Sequence, residues 1–208
     1  MIKCIIFDCD GTLVDSEYLC NLAFEIKLKE YNIEANAQAL MQKYRGGKLA
    51  NIIQSLESEH QITFNDDFIK EYRELVDQLF ENNLQPCLGV IEALSLILLP
   101  ICVASSGPVI KIKKALKVTQ LSDFFEDHIF SSYDVGSWKP EPGLFIHTAK
   151  QMGYAPDECL VVEDSIVGIT AANLAGMKSV LFDPHGIHDP ALSPNIIKNM
   201  KELSNYLG

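Results

Sequence analysis

Ile5-Ile6-Phe7-Asp8-Cys9-Asp10-Gly11-Thr12 is an unbroken apolar run that ends in two carboxylates one residue apart. A short continuous apolar run is the signature of a parallel strand covered on both faces. Alternate side chains of a strand share a face, so Asp8 and Asp10, the latter at the start of the following loop, are presented side by side. Two acids held that close attract a divalent cation, and the rest of the chain is read for what completes the site.

Downstream of residue 86, short β-rich runs alternate with helical ones, the rhythm of a parallel α/β sheet. The expected strands are 3–8, 101–105, 128–131, 159–163 and 179–182, with helices over 90–99, 109–116, 144–152 and 166–175. Between residues 36 and 83 the periodicity stays helical. Leu19, Leu22, Ala23 and Ile26 form one stripe, Leu49, Ile52, Ile53 and Leu56 a second, and Phe68, Ile69, Tyr72, Val76, Leu79 and Phe80 a third. The expected architecture is a doubly wound, mainly parallel five-stranded Rossmann-like α/β core made of residues 1–15 and 86–208. An inserted α-helical cap over 16–85 interrupts it.

Seventeen basic residues against 28 acidic ones leave a net charge of -11, a poor match for nucleic acid or an anionic membrane surface. The most apolar window, 88–104, holds Glu92, Ser95 and Pro100 and is shorter than the ~20 apolar residues a membrane span needs. With no signal-like segment ahead of the first strand, the expected setting is the cytoplasm. The six cysteines lie mostly in apolar segments without a CxxC pair, which reads as buried free thiols. No heptad seam is legible, and a monomer or weak dimer is the expected assembly.

In an open parallel sheet a ligand sits beyond the carboxyl ends of the strands. Those ends carry Asp8 and Asp10, then Ser105, Ser106 and Gly107, then Lys139, then Glu163, Asp164 and Ser165. Taken singly, each has an ordinary explanation as a helix cap, a turn or a solvated charge. Taken together they are what phosphoryl transfer on Mg2+ requires. Hard oxygen ligands hold the ion, and a lysine, hydroxyls and amides stabilise the phosphoryl oxygens. Asp8 then suits the role of nucleophile, forming an aspartyl-phosphate, and Asp10 that of the acid and base that moves protons. Cys9 points away from the acids and reads as core. His185 and His188, near Asp189 in the turn-rich stretch 183–194, read as polar surface.

These residues resemble the four motifs of the haloacid dehalogenase superfamily, and the likeness runs across nearly the whole chain. Asp8-Cys9-Asp10-Gly11-Thr12 is similar to the first motif and Ser105 to the second. Lys139, within Lys139-Pro140-Glu141-Pro142-Gly143, is similar to the third, and Glu163-Asp164-Ser165 to the fourth. The resemblance implies a Rossmann-like core with a helical cap, dependence on Mg2+, and catalysis by Asp8, Asp10, Ser105 and Lys139. It also implies metal ligation by Asp8, the backbone carbonyl of Asp10, and Asp164, with Glu163 joining directly or through water. Within the superfamily the chain looks most like sugar phosphatases of the 6-phosphogluconate phosphatase type, and more distantly like β-phosphoglucomutases. Where the mutases carry a histidine and an arginine, this chain has Cys20 and Leu49, which favours hydrolysis.

Tyr44-Arg45-Gly46-Gly47-Lys48 resembles the family's substrate loop in the cap, and Arg45 and Lys48 are expected to grip an anionic end of the substrate. The expected partner is thus a small phosphorylated metabolite, a sugar or sugar acid such as 6-phosphogluconate, bound also by Ser105, Ser106 and Lys139. Two alternatives stand beside hydrolysis: a phosphosugar mutase, and a phospho-accepting receiver domain, whose smaller size and later acceptor strand fit this chain less well.

Overall fold

A computed structural model of the chain describes residues 1–207. In chain order it begins with strand β1 (Cys4–Phe7) and continues through four helices, α1 (Glu17–Lys29), α2 (Ala37–Tyr44), α3 (Leu49–His60) and α4 (Phe68–Asn83). Then come α5 (Val90–Leu96), β2 (Ile101–Ser105), α6 (Val109–Val118), α7 (Ser122–Phe125), β3 (Ile129–Ser131) and α8 (Ser132–Val135). The remainder is α9 (Gly143–Met152), β4 (Cys159–Glu163), α10 (Ile166–Leu174), β5 (Lys178–Phe182) and β6 (Ile196–Ile197). Among the described residues no helix is long and apolar enough to cross a membrane.

The chain divides into two compact units. Met1–Val14 and the chain from Gln85 onward form one, and Asp15–Leu84 forms the other. In the first, all neighbouring strands are parallel and the sheet runs β3-β2-β1-β4-β5-β6, the order of doubly wound folds. β1 lies at the centre, with Ile6 level with Cys102 on one side and Val161 on the other. All four of its residues are buried, because helices cover both faces. One face packs Cys4, Ile6, Cys102 and Val161 against Leu144, Phe145 and Ala149 of α9 and Ala171 and Ala172 of α10. On the other face the Phe7 ring meets Phe125 edge-on.

The sheet has six strands where the sequence pattern predicts five. The extra one, β6, is two residues long, follows a loop rich in Pro, Gly and His, and pairs Ile196 with Leu181. Two residues carry no periodicity, so only the pairing defines this strand. The cysteines are all free, and Cys4, Cys9, Cys102 and Cys159 are buried. The chain leaves and rejoins this unit at one place. Val14 pairs with Pro86 in an isolated antiparallel bridge, and the Cys87 amide donates to the Leu13 carbonyl at 2.9 Å.

The second unit is wholly helical. The buried stripe of α4 is Phe68, Tyr72, Val76 and Phe80, a strict i, i+4 row, while Ile69 is exposed. In α1 the buried face is Leu19, Ala23, Phe24 and Leu28, and Ile26 faces outward. The stripe turns relative to the sequence expectation because the Phe24 ring stacks on Tyr72 at 4.3 Å, which draws that side of α1 inward. Lys27, almost fully buried on the same helix, is neutralised by Glu30 and Glu71 at 2.5 and 2.7 Å.

Candidate active site

Asp8 follows the last residue of β1, and its amide donates to the Val162 carbonyl at 2.9 Å. That bond joins the ends of β1 and β4 and brings Asp8 beside Glu163 and Asp164. The carboxylates of these three buried residues offer oxygens that all lie within 4.8 Å of one another. Lys139, from the loop before α9, donates to Asp8 Oδ1 and, at 2.6 Å, to Glu163 Oε1. Its ammonium also sits 5.1 Å from the centroid of the buried Phe145 ring. The other oxygen of Glu163 accepts from the Ser165 amide at 2.9 Å and the Ser165 hydroxyl at 2.7 Å. Glu163 is thus fully engaged in holding Lys139 and the start of α10.

Two glycines make room for the acids. Gly11, at φ +79°, faces Asp164 so closely that a Cβ built on it would lie 2.3 Å from Oδ2. A Cβ on Gly168, in the first turn of α10, would lie 1.9 Å from both Cδ and Oε1 of Glu163.

The Asp10 carboxylate is not part of the three-acid group. Both its oxygens accept from Lys111 Nζ, at 2.8 and 2.9 Å, and the pair is partly exposed. The metal role the resemblance implies for Asp10 is that of its backbone carbonyl, and it does not call on this carboxylate. Ser105, at the end of β2, is buried and accepts at Oγ from the Gly107 amide at 3.0 Å. The Gly107 carbonyl in turn accepts from Ser131 Oγ at 2.7 Å, which ties the end of β3 to this turn. A Cβ on Gly107 would stand 3.5 Å from Ser105 Oγ and 3.7 Å from Asp10 Oδ2, so the turn and Asp10 share one corner. Ser106 lies half-buried in that turn.

Arg45 and Lys48 belong to the helical unit, where they flank the turn between α2 and α3, each half-buried. The turn closes through the Gly47 amide, which donates to the Tyr44 carbonyl at 2.9 Å.

Lys111 and His188 are the site neighbours that the sequence pattern does not single out. Lys111 is one of four lysines on α6, and nothing in their spacing marks the one that turns toward Asp10. His188 Nε2 lies 2.9 Å from the Asp164 carbonyl oxygen, although its loop reads as polar surface.

The electrostatics follow from one ammonium serving two carboxylates. Burial pushes the Asp8 carboxyl up to about 7, with Lys139 pulling down and Glu163 and Asp10 adding to the rise. Burial acts to lower the Lys139 pKa, but Asp8 and Glu163 outweigh it and the net shift is upward. Three buried acids against one buried lysine leave a negative surplus that a small hard cation neutralises, and their clustered oxygens fit such an ion.

The sign of the Asp8 shift has a measurable consequence. Between its ordinary value of 3.8 and about 7 the folded chain keeps a proton that the unfolded chain has released. In the presence of a chelator, folding stability should therefore fall as pH rises through that window, by at most about 1.4 kcal/mol per pH unit from this group. Melting temperature against pH, for the wild type and Asp8→Asn, checks this. An unchanged slope in the variant would count against it.

A parallel sheet in this order, with an acid and lysine centre at the carboxyl ends of its central strands, defines a doubly wound α/β protein whose site lies at the topological switch point. Residues 2–176 match the family model described as haloacid dehalogenase-like hydrolase. The chain belongs to that family, and it is a hydrolase of the phosphatase kind. It is 35% identical over 198 residues to the 6-phosphogluconate phosphatase of Escherichia coli, covering 94% of this chain and 89% of that one. A haloacid dehalogenase-like protein from Agrobacterium tumefaciens superposes with a TM-score of 0.86 at 31% identity, over 100% of this chain and 98% of the other. A β-phosphoglucomutase from Clostridium difficile shares the fold, with a TM-score of 0.83 at 21% identity over 98% and 93% of the two chains. The family's hydrolases generally use a divalent metal, in keeping with the buried acid cluster.

Proposed function

We propose that this chain is an Mg2+-dependent phosphatase that hydrolyses a small phosphorylated sugar or sugar acid, such as 6-phosphogluconate, through an aspartyl-phosphate on Asp8. The observation that carries the reading is the buried Lys139 ammonium shared between Asp8 and Glu163. It presents a carboxylate whose charge is screened from an incoming phosphate dianion. The likeness to the Escherichia coli enzyme supports the substrate class.

Asp8, the Asp10 carbonyl and Asp164 would hold the Mg2+, which when bound neutralises phosphoryl oxygens. Asp8 Oδ attacks phosphorus, and the bond to the sugar oxygen breaks as Asp10 delivers a proton to it. Ser105, Ser106 and Lys139 bind the phosphoryl oxygens through hydroxyl, amide and ammonium donors. Asp10 then takes a proton from a water that attacks phosphorus, which frees Asp8 and releases inorganic phosphate. Arg45 and Lys48 hold the anionic far end of the substrate.

Released phosphate measured over a panel of sugar and sugar-acid phosphates, with and without Mg2+, tests the reading. Mg2+-dependent release with a preference for sugar-acid phosphates is expected. Isomerised sugar phosphate in the presence of a bisphosphate primer would point to a mutase instead. On the same panel, Arg45→Ala should raise KM for sugar acids more than for a generic phosphate ester, and equal losses would remove Arg45 from the substrate site.

A further inference from the structure

We propose that His188 is a positioning residue for the cation end of the site, acting through the backbone of Asp164. The inference rests on the reading of Asp8 and Asp164 as metal ligands. His188 Nε2 stands 2.9 Å from the Asp164 carbonyl oxygen. A carbonyl can only accept, so the imidazole carries its proton on Nε2 and donates it.

The next atoms of the same peptide unit are held from the other side, because the Ser165 amide donates to Glu163 Oε2 at 2.9 Å. The plane between Asp164 and Ser165 is thereby fixed at its oxygen by His188 and at its nitrogen by Glu163. The Asp164 side chain springs from the Cα at one edge of that plane. Displacing that plane would carry the Cα with it and draw the carboxylate away from Asp8 and Glu163, with which it shares the cation-sized cluster.

His188 is itself held. Asp183, buried directly after β5, accepts from the Ile187 amide at Oδ1 and from the His188 amide at Oδ2, both at 3.0 Å. Its own amide donates to the Ile197 carbonyl at 2.8 Å, which anchors the turn to β6. A buried carboxylate with two amide donors is a rigid base. It carries the imidazole from the edge of the sheet to the strand end where Asp164 lies. Partners that hold a ligating residue in place keep its ligand atom in register, and loss of such support typically weakens metal affinity by about 10–100-fold.

The test is Mn2+ binding to the full chain, followed by electron paramagnetic resonance after chelator treatment, with no substrate present. His188→Leu keeps bulk without a donor and should weaken Mn2+ binding about tenfold or more. His188→Gln places a donor nitrogen the same number of bonds from the backbone and should recover most of the affinity. Melting temperatures in chelator should stay close for the two variants, separating a loss of ion affinity from a loss of fold. Should His188→Leu fold poorly, Asp183→Asn, which loosens the turn and keeps the imidazole, should weaken Mn2+ binding in the same direction. Wild-type affinity in a folded His188→Leu or Asp183→Asn chain, or a Gln variant as weak as the Leu one, would overturn the inference alone. A folded wild type that binds no Mn2+ would overturn the metal reading and this inference with it.

Discussion

Asp8→Asn should lose phosphate release by ~10³-fold or more while remaining folded. The amide keeps the size and one acceptor oxygen of the carboxylate, so Lys139 retains a partner there as well as Glu163. What it lacks is the charge and nucleophilicity to displace an alcohol from phosphorus. Phosphate-monoester hydrolysis calls for rate enhancements of up to ~10²¹, and positioning by the remaining groups cannot substitute for the attacking atom. Because burial already pushes Asp8 upward, removing its charge should not lower the melting temperature in chelator. Steady-state release on the best sugar phosphate, with melting curves on the same preparation, checks both halves. Turnover near the wild-type rate would remove Asp8 as nucleophile.

Gly168→Ala should also be severe, against the usual sign of such a change. Within a helix, alanine is normally favoured over glycine by about 1 kcal/mol. Here the added Cβ would occupy the place of the Glu163 carboxyl group, at 1.9 Å from two of its atoms. Either α10 moves away from β4 or Glu163 turns out of its buried position. In the second case Lys139 loses one of its two acids, and the Ser165 amide and hydroxyl lose their shared acceptor. Unsatisfied buried polar groups cost about 1–3 kcal/mol each, which exceeds the helix gain. A net loss of roughly 2–4 kcal/mol in urea denaturation is expected, together with at least a tenfold fall in kcat as the lysine loses its place. A variant more stable than the parent would show that the carboxylate has room the geometry denies.

Both predictions rest on residues at strand ends, and that is also where the sequence is most readable. β4 spans Cys159–Glu163, the run expected from an apolar stretch that stops at an acid, because a strand buried on both faces leaves no polar residue inside it. Asp8, Glu163 and Asp164 are brought together because parallel strands in register end level with one another, and Lys139 reaches them from the loop before α9. The Lys111 partnership with Asp10 is of another kind. It depends on which way a helix rolls on the sheet, and four lysines along α6 leave that undetermined. His188 depends on a turn organised by a buried aspartate, a contact with no period to read. The buried stripe of α1 was displaced for a similar reason, since the pairing of Phe24 with Tyr72 is a matter between helices. β6 is invisible by itself because its only content is its neighbour.

The bridge between Val14 and Pro86, with the bond from Cys87 to Leu13, joins the two ends of the insertion before any of its own structure is counted. Loop-closure cost grows slowly with length, by about 0.6 kcal/mol for each doubling, and here the sheet unit itself supplies the closure. The stretch Asp15–Leu84 therefore begins and ends at one closed point of the sheet unit's own chain. A change of length inside it leaves that closure in place, and with it the register of β1 against β4.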